Sequence, residues 1–561
     1  MNIQRLSLIA VSLLTLASCG PAAVVRSTAS LPRTQAERTN YAETSTHAQV
    51  LTFLDALGQL GKPLSRGSVG RTSEGRDIPF VIASRPLFDS PESARRSGRP
   101  IVYVQGNIHA GEVEGKEALQ ALLRDLLVDP RPNALDSIVL IAVPIYNGDG
   151  NERFDTQAKN RGAQNGPEMV GQRPNAQGFD LNRDYIKAEA PETRASLAMF
   201  NRWDPHLFVD LHTTNGSYHG YALTYAPSLN PAGELPGATF GAAWARDSFL
   251  PELQRRITAR HNVATFPYGN FAQDEGPTSV PKGWLTYDHR PRFGTNYYAL
   301  RGRVSILSEA YSHDPFETRV RATYAFVKEL LSLAAERGRD LQGLASRSDA
   351  ALATWGRGNG PAVPLRAALT TTPVPGDVIY EVLERTTDTT RREPGVRAGL
   401  RRTGRFVTQR MPVVDRFTPT RTRPVPYGWA ISASDTAITT LLALHGITTY
   451  RLRTAWSGDA GPQYDVDSTI IAPRAFQGRR EVRLEVRQAS RPVSLPMGTV
   501  VVPVAQPRGV LAMYLLEPES DDGVVNWDVA GRAATTPASL VVTRLARDPG
   551  LSLERIAASR P

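Results

Sequence analysis

Cysteine is nearly absent from this chain. Cys19 is the only one in 561 residues, so nothing beyond it can pair as a disulfide within a mature protein. Long hydrophobic runs are equally scarce. The one at the start, residues 1–18 (MNIQRLSLIAVSLLTLAS), is too short to span a bilayer, and no later stretch reads as a transmembrane helix. Internal repeats are missing, which excludes a solenoid. Nucleic-acid motifs are missing too. The formal charge of +10, supplied mostly by arginine, therefore reads as a solvated surface that tolerates anionic envelope surfaces. Residues 20–45 are too few for a folded inhibitory pro-segment.

What is present begins with that first run. Arg5 followed by a short apolar core is the pattern of a secretory signal peptide. Leu16-Ala17-Ser18-Cys19 resembles the lipobox of bacterial lipoproteins, which implies that Cys19 is lipidated and becomes the first mature residue. Acyl chains anchor firmly, each buried methylene adding about 0.8 kcal/mol. Gly20, and no aspartate, follows the cysteine, so the expected location is extracytoplasmic, on the outer membrane. The remaining chain is long enough for two or more domains, with 41% hydrophobic and 21% charged residues. Its 45 glycines and 42 prolines predict many turns and long ordered loops.

Four apolar runs read as buried strands: residues 101–104, 138–145, 206–211 and 304–307. Each ends in polar residues. The first leads through the turn Gly106-Asn107 to His109 and Glu112, then to a helical pattern through Leu127. The second ends at Asn147-Gly148-Asp149-Gly150, the third at His212, and the fourth just before Glu309. Open α/β sheets bind ligands at the carboxyl ends of their strands. If the four strands are neighbours, these groups gather at one edge. His109, Glu112 and His212 are then a donor set that zinc accepts, and Glu309 faces the metal without ligating it. Other expected elements are a helix over residues 47–60, a hairpin over 68–84 turning at Ser73–Gly75, a long functional loop over 151–178, and helices over 191–202, 239–260 and 317–337.

These motifs resemble the zinc carboxypeptidase family (carboxypeptidase A-like metallopeptidases). Its pattern appears here in order as His109-Ala-Gly-Glu112, Asn147-Gly-Asp149-Gly150, Asp180-Leu-Asn182-Arg183, His212 and Glu309, over roughly residues 45–340. One departure is Gly148, where the family turn usually has proline. The resemblance implies one zinc ion held by His109, Glu112 and His212, and Glu309 as the general base that activates water. It implies Asn182 and Arg183 on the substrate's terminal carboxylate, whose planar shape suits an arginine fork. Asp180 would fix the tautomer of His109. The family also uses an oxyanion-binding arginine, for which Arg161 has the better spacing and Arg173 is the rival. It uses a covering tyrosine as well, for which Tyr287 fits and Tyr297 is possible; for either tyrosine alone, packing is the alternative role. His206, His219, His261, His289, His313 and His445 fit no ligand pattern.

The expected fold is α/β, a mixed central sheet flanked by helices, with a second, smaller C-terminal α/β domain. Residues 1–18 form the signal, 19–44 a tether, 45–345 the catalytic domain, 346–365 a linker and 366–561 a C-terminal domain of unknown role. Short β-type runs (DVIYEVL, STIIAP, EVRLEV, GTVVVP) and a helix near 435–445 populate that last part. Its stretch 391–423 carries ten arginines against Glu393 and Asp415, and reads as a solvated face or mobile loop. The expected activity is hydrolysis of the C-terminal peptide bond of a peptide with a free carboxylate. A peptidoglycan-peptide hydrolase or amide deacylase could use the same zinc machinery, and a catalytically silent binding lipoprotein is the rival from another class.

Overall fold

The computed structural model describes residues 31–557 except 215, 238–240, 273–277, 357–359, 388–395 and 533–539. The signal and Cys19 lie outside the described residues.

An eight-stranded mixed sheet carries the N-terminal part. From edge to edge its strands are Leu64–Arg71, Asp77–Ala83, Val139–Val143, Ile101–Gly106, Leu207–Thr213, Val304–Ala310, Leu223–Pro227 and Thr265–Pro267. The four apolar runs are the four central strands, adjacent and mutually parallel. Being parallel and covered on both faces, they must be apolar throughout, and their side chains are buried almost without exception. Parallel strands end together, so their polar ends lie along one edge.

The hairpin, with strands Leu64–Arg71 and Asp77–Ala83, extends the sheet antiparallel on one side, and Leu223–Pro227 does so on the other. Helices His47–Gly58, Glu114–Val128 and Phe316–Glu336 pack with Val102, Val104, Leu207 and Val209 in one core, while Pro191–Trp203 contributes Leu197 and Phe200 to the core that holds Tyr103 and Phe208. The turn from strand Ile101–Gly106 into helix Glu114–Val128 is tight. Asn107 adopts φ 65°, and a Cβ at Gly115 would stand 2.8 Å from the Leu211 Cβ, so the helix rests directly on the next strand.

Several expectations change. The tether is ordered from Leu31 onward: Thr34 caps a short helix, Gln35–Arg38, and Glu117 accepts bonds from Thr44 and Ser45. The stretch 346–365 is not a free linker. Helix Gly338–Leu352 runs into it, strand Ala362–Leu369 leaves it, and Leu352, Trp355, Val363 and Leu365 join a core containing Trp429 and Trp527. The helix expected over 239–260 contains a π-helical turn, Ala245–Phe249, just before Pro251, which has no N–H to give the preceding turn.

Residues 391–395 of the arginine-rich stretch lie outside the described residues; from residue 400 it is a solvated face carried on strands, not a loop. It forms strands Leu400–Val414 and Phe417–Pro424. The first pairs with Val374–Arg385 and, in parallel, with Trp284–Leu285 of the N-terminal part, so one small sheet joins both halves. The rest of the C-terminal part centres on a five-stranded sheet with helices Thr436–Leu444 and the wholly buried Gly509–Leu516.

Candidate metal centre

Strand register delivers the site. Glu309 pairs with His212 across neighbouring strands, and the first central strand ends at Gly106, three residues before His109. His109 Nδ1 lies 3.1 Å from Glu112 Oε1, His212 Nδ1 lies 3.0 Å from Glu112 Oε2, and the two Nδ1 atoms are 3.2 Å apart. Among the described residues this is the one group of three such side chains with ligand atoms within 4.8 Å of one another, and all three are buried.

The outward nitrogens are also committed. His109 Nε2 meets Asp180 Oδ1 at 2.9 Å, and His212 Nε2 stands 3.1 Å from Asp210 Oδ2. Each imidazole thus points Nδ1 inward; the Asp180 carboxylate holds that tautomer of His109, and the Asp210 charge stands close behind His212. Two imidazoles and a carboxylate, oriented this way, fit a zinc ion. The glycine between His109 and Glu112 is required by space: a Cβ at Gly111 would lie 2.7 Å from both Arg161 Cγ and the Gly171 carbonyl oxygen.

Electrostatics match a centre built around positive charge. Burial raises the Glu112 carboxyl, but His109, Arg161 and the bonds from both imidazoles outweigh it and hold the group well below its ordinary value. Burial disfavours a charged His212, yet Asp210 and Glu112 hold it well above its ordinary value. Asp180 is likewise pulled far down against burial by His109, Arg173 and Arg183. Glu309 behaves oppositely. Burial raises it to about 8, opposed by His212 and assisted by the like charge of Glu112.

The expected substrate-side residues fall around this cluster. Asp180 Oδ1 accepts the Asn182 N–H and opens the one-turn helix Leu181–Arg183. Asn182 Oδ1 accepts the Gly294 N–H at 2.8 Å, and Arg183 lies 3.7 Å over the Phe293 ring, which fixes its plane. Arg161 and Arg173 both reach Glu112 Oε1, at 3.0 and 3.4 Å. Arg161 is also tied to the Thr213 and Thr214 carbonyls and is 9% exposed, whereas Arg173 is 33% exposed and pairs with Asp180 at 2.8 Å. Tyr287 is half-buried, bonded to Thr295 and packed edge-on to Tyr268. Tyr297 is a core residue, its hydroxyl on His445 Nδ1 at 2.9 Å, so it does not reach the site. Asn147 caps helix Gly148–Glu152, and Asp149 ties down the hairpin turn through Thr72, Ser73 and Arg76; glycine at the first helical position leaves this cap intact. The remaining histidines take structural roles, such as His206 accepting the Ile101 N–H and His261 on Glu329.

Asp210 is absent from the sequence-based set, although a signal was available. It stands two residues before His212 on a fully buried strand, where alternate residues share a face and an unpaired charge is costly. Its charge would support His212 as a metal ligand. Asp210→Asn is therefore expected to weaken zinc binding about 10- to 100-fold, measured by chelator competition, with the fold retained. Phe293 and Tyr268 were likewise unassigned, because loop aromatics carry no periodicity.

Residues 50–278 match the family model described as zinc carboxypeptidase. Carboxypeptidase 2 of Trichophyton tonsurans is 23% identical over 502 residues, covering 82% of this chain and 79% of that protein. Carboxypeptidase D of Mus musculus is 28% identical over 264 residues, 42% of this chain and 19% of that protein. Among solved structures, a metallo-carboxypeptidase from Pseudomonas aeruginosa in complex with (2-guanidinoethylmercapto)succinic acid is 20% identical, covers 53% of this chain and 70% of its own, and has a TM-score of 0.37.

Proposed function

We propose that this chain, whose residues 50–278 match the zinc carboxypeptidase family model, is a metallocarboxypeptidase that removes single residues from the C-termini of peptides. The observation that carries this reading is the His109–Glu112–His212 cluster with Glu309 in register beside it and Arg183 one short turn away.

His109, Glu112 and His212 would hold zinc, which when bound supplies a Lewis acid that brings the pKa of water to about 7. Arg183, 3.7 Å over the Phe293 ring and with one Nη donating to the Asn182 carbonyl, grips the substrate's terminal carboxylate with its remaining guanidinium N–H groups. Asn182 holds the Gly294 corner and so shapes the same subsite. Glu309 accepts the proton of the attacking water on its carboxylate and returns it to the departing amine nitrogen. Arg173, more exposed than Arg161, takes the role of facing the scissile carbonyl oxygen; Arg161 is confined to bracing Glu112. Tyr287 and Tyr268 cover the bound residue and limit water.

The protein is proposed to act outside the cytoplasm, tethered through lipid on Cys19. The support is the signal-like residues 1–18 and the lipobox-like sequence before the cysteine. Among the described residues, no helix is long and apolar enough to cross a membrane. The test of the carboxylate requirement pairs one peptide as free acid and as C-terminal amide. The acid is expected to be trimmed at least about 100-fold faster, since the amide forfeits the charged pairing with Arg183. Equal rates would sink the assignment.

A further inference from the structure

From the C-terminal part, Gln477 reaches the turn at Asp180 beside the metal centre. Between strands Gln463–Ile471 and Val482–Ala489 the chain reverses at Phe476–Arg479. Phe476 N donates to the Arg479 carbonyl at 2.7 Å and Arg479 N to the Phe476 carbonyl at 3.2 Å. The two residues between them, Gln477 and Gly478, have φ of 49° and 81°. Such a two-residue turn, left-handed at both positions, favours asparagine, aspartate or glycine at its first position. Glutamine is a poor choice for the backbone, and its use needs a reason outside the turn.

That reason is reach. Gln477 Nε2 donates to the backbone carbonyl of Asp180 at 3.2 Å, across 297 positions of sequence. Asp180 is the residue whose carboxylate holds His109 Nε2 and Arg173, and whose turn carries Asn182 and Arg183. An asparagine, one methylene shorter, would suit the turn but fall short of the carbonyl.

The turn itself is anchored. Arg479 pairs with Glu189 at 2.6 Å and donates to the carbonyls of Trp527 and Asp528. Arg292 lies over the rings of Trp527 and Phe476 and pairs with Glu481 and Asp522. Its neighbour Phe293 is the ring beneath Arg183. Two lines of contact therefore run from the C-terminal part to the site, one to the second nitrogen of a metal-ligand histidine and one to the carboxylate-binding arginine.

We propose that Gln477 is a positioning residue for the metal and carboxylate subsites, and that the C-terminal part serves as a wall of the active site. The proposal rests on the zinc carboxypeptidase reading. It is tested in the full chain with Gln477→Asn and Gln477→Gly, both of which suit the left-handed turn, and with Gln477→Glu, which keeps the length but loses the donor. Zinc affinity is read by chelator competition without substrate, alongside kcat, KM and Tm.

All three variants are expected to bind zinc about 10-fold more weakly, at the lower end of what loss of an outer support costs a metal site. KM for a free-acid peptide is expected to rise severalfold, with kcat within about twofold. Tm should hold or rise for the asparagine and glycine variants, a combination that a purely structural role would not give. Wild-type zinc affinity and KM in those two variants would overturn the proposal. A wild-type protein that binds zinc yet trims no peptide would instead overturn the functional reading, leaving the zinc comparison to decide the role of Gln477.

Discussion

Replacing Glu309 with glutamine is expected to lower kcat by about 10³-fold while zinc affinity stays within about threefold of wild type. Glutamine keeps the volume and the neighbours of Glu309 but cannot accept a proton at the working pH. General acid–base catalysis contributes about 10²- to 10⁴-fold, so the expected loss corresponds to roughly 4 kcal/mol of barrier. Zinc affinity should survive because Glu309 is not in the His109–Glu112–His212 set. Burial raises the Glu309 carboxyl to about 8, and a bound cation would oppose that shift. Either way the sign is fixed: a protonated Glu309 cannot act as the base, so activity should rise with pH through its pKa. That acid limb should vanish from the residual rate of the glutamine variant. A variant retaining near-full activity, or losing zinc, would remove the general-base assignment.

Arg183→Ala should be the next most damaging change, and a selective one. Two charge-assisted hydrogen bonds to a carboxylate, partly desolvated, are together worth about 3–4 kcal/mol, or about 10²- to 10³-fold in kcat/KM for free-acid peptides. The terminal amide of the same peptide makes no such pair and should lose little. The wild-type preference for acid over amide should therefore collapse towards unity. Arg173 is held by Asp180 and Glu112 and is not free to substitute. Zinc affinity should be unchanged, which separates this effect from collapse of the Asp180 turn. An equal loss on acid and amide would place Arg183 in a structural role.

The legible parts of the molecule were those written locally. Four continuous apolar runs of residues such as Val102, Ile141, Val209 and Ile306 mark strands covered on both faces, and the polar residue ending each could be read as a neighbour of the others. The ordered motifs then named His109, Glu112, Asp180, Asn182, His212 and Glu309. The residues that escaped were those whose roles depend on folding. Asp210 is the exception: its place two residues before His212 was readable, and folding adds that its carboxylate stands 3.1 Å from His212 Nε2. Tyr287 and Tyr297 were both admissible by spacing, and only packing sends Tyr297 to His445 in the core.

The arginines of 400–414 hid a strand. Val407, Gln409, Met411 and Val413 alternate with exposed residues, but the abundance of charge reads as loop. Helix Gly509–Leu516 is buried on every side and so shows no amphipathic period. Gln477 is the extreme case. A bond spanning 297 positions leaves no local trace, and the one clue, glutamine in a left-handed turn, exists only once the backbone is known.

The most direct test of the central claim is mass spectrometry of a mixed peptide pool incubated with protein lacking residues 1–19, with and without a zinc chelator. The expected result is stepwise loss of single C-terminal residues from free-acid peptides, abolished by chelator and restored by added zinc. Internal cleavage, N-terminal trimming, or trimming that survives chelation would contradict the claim. Zinc binding with no trimming at all would also contradict it, and would turn the search to cell-wall peptides, modified amides or a silent binding role.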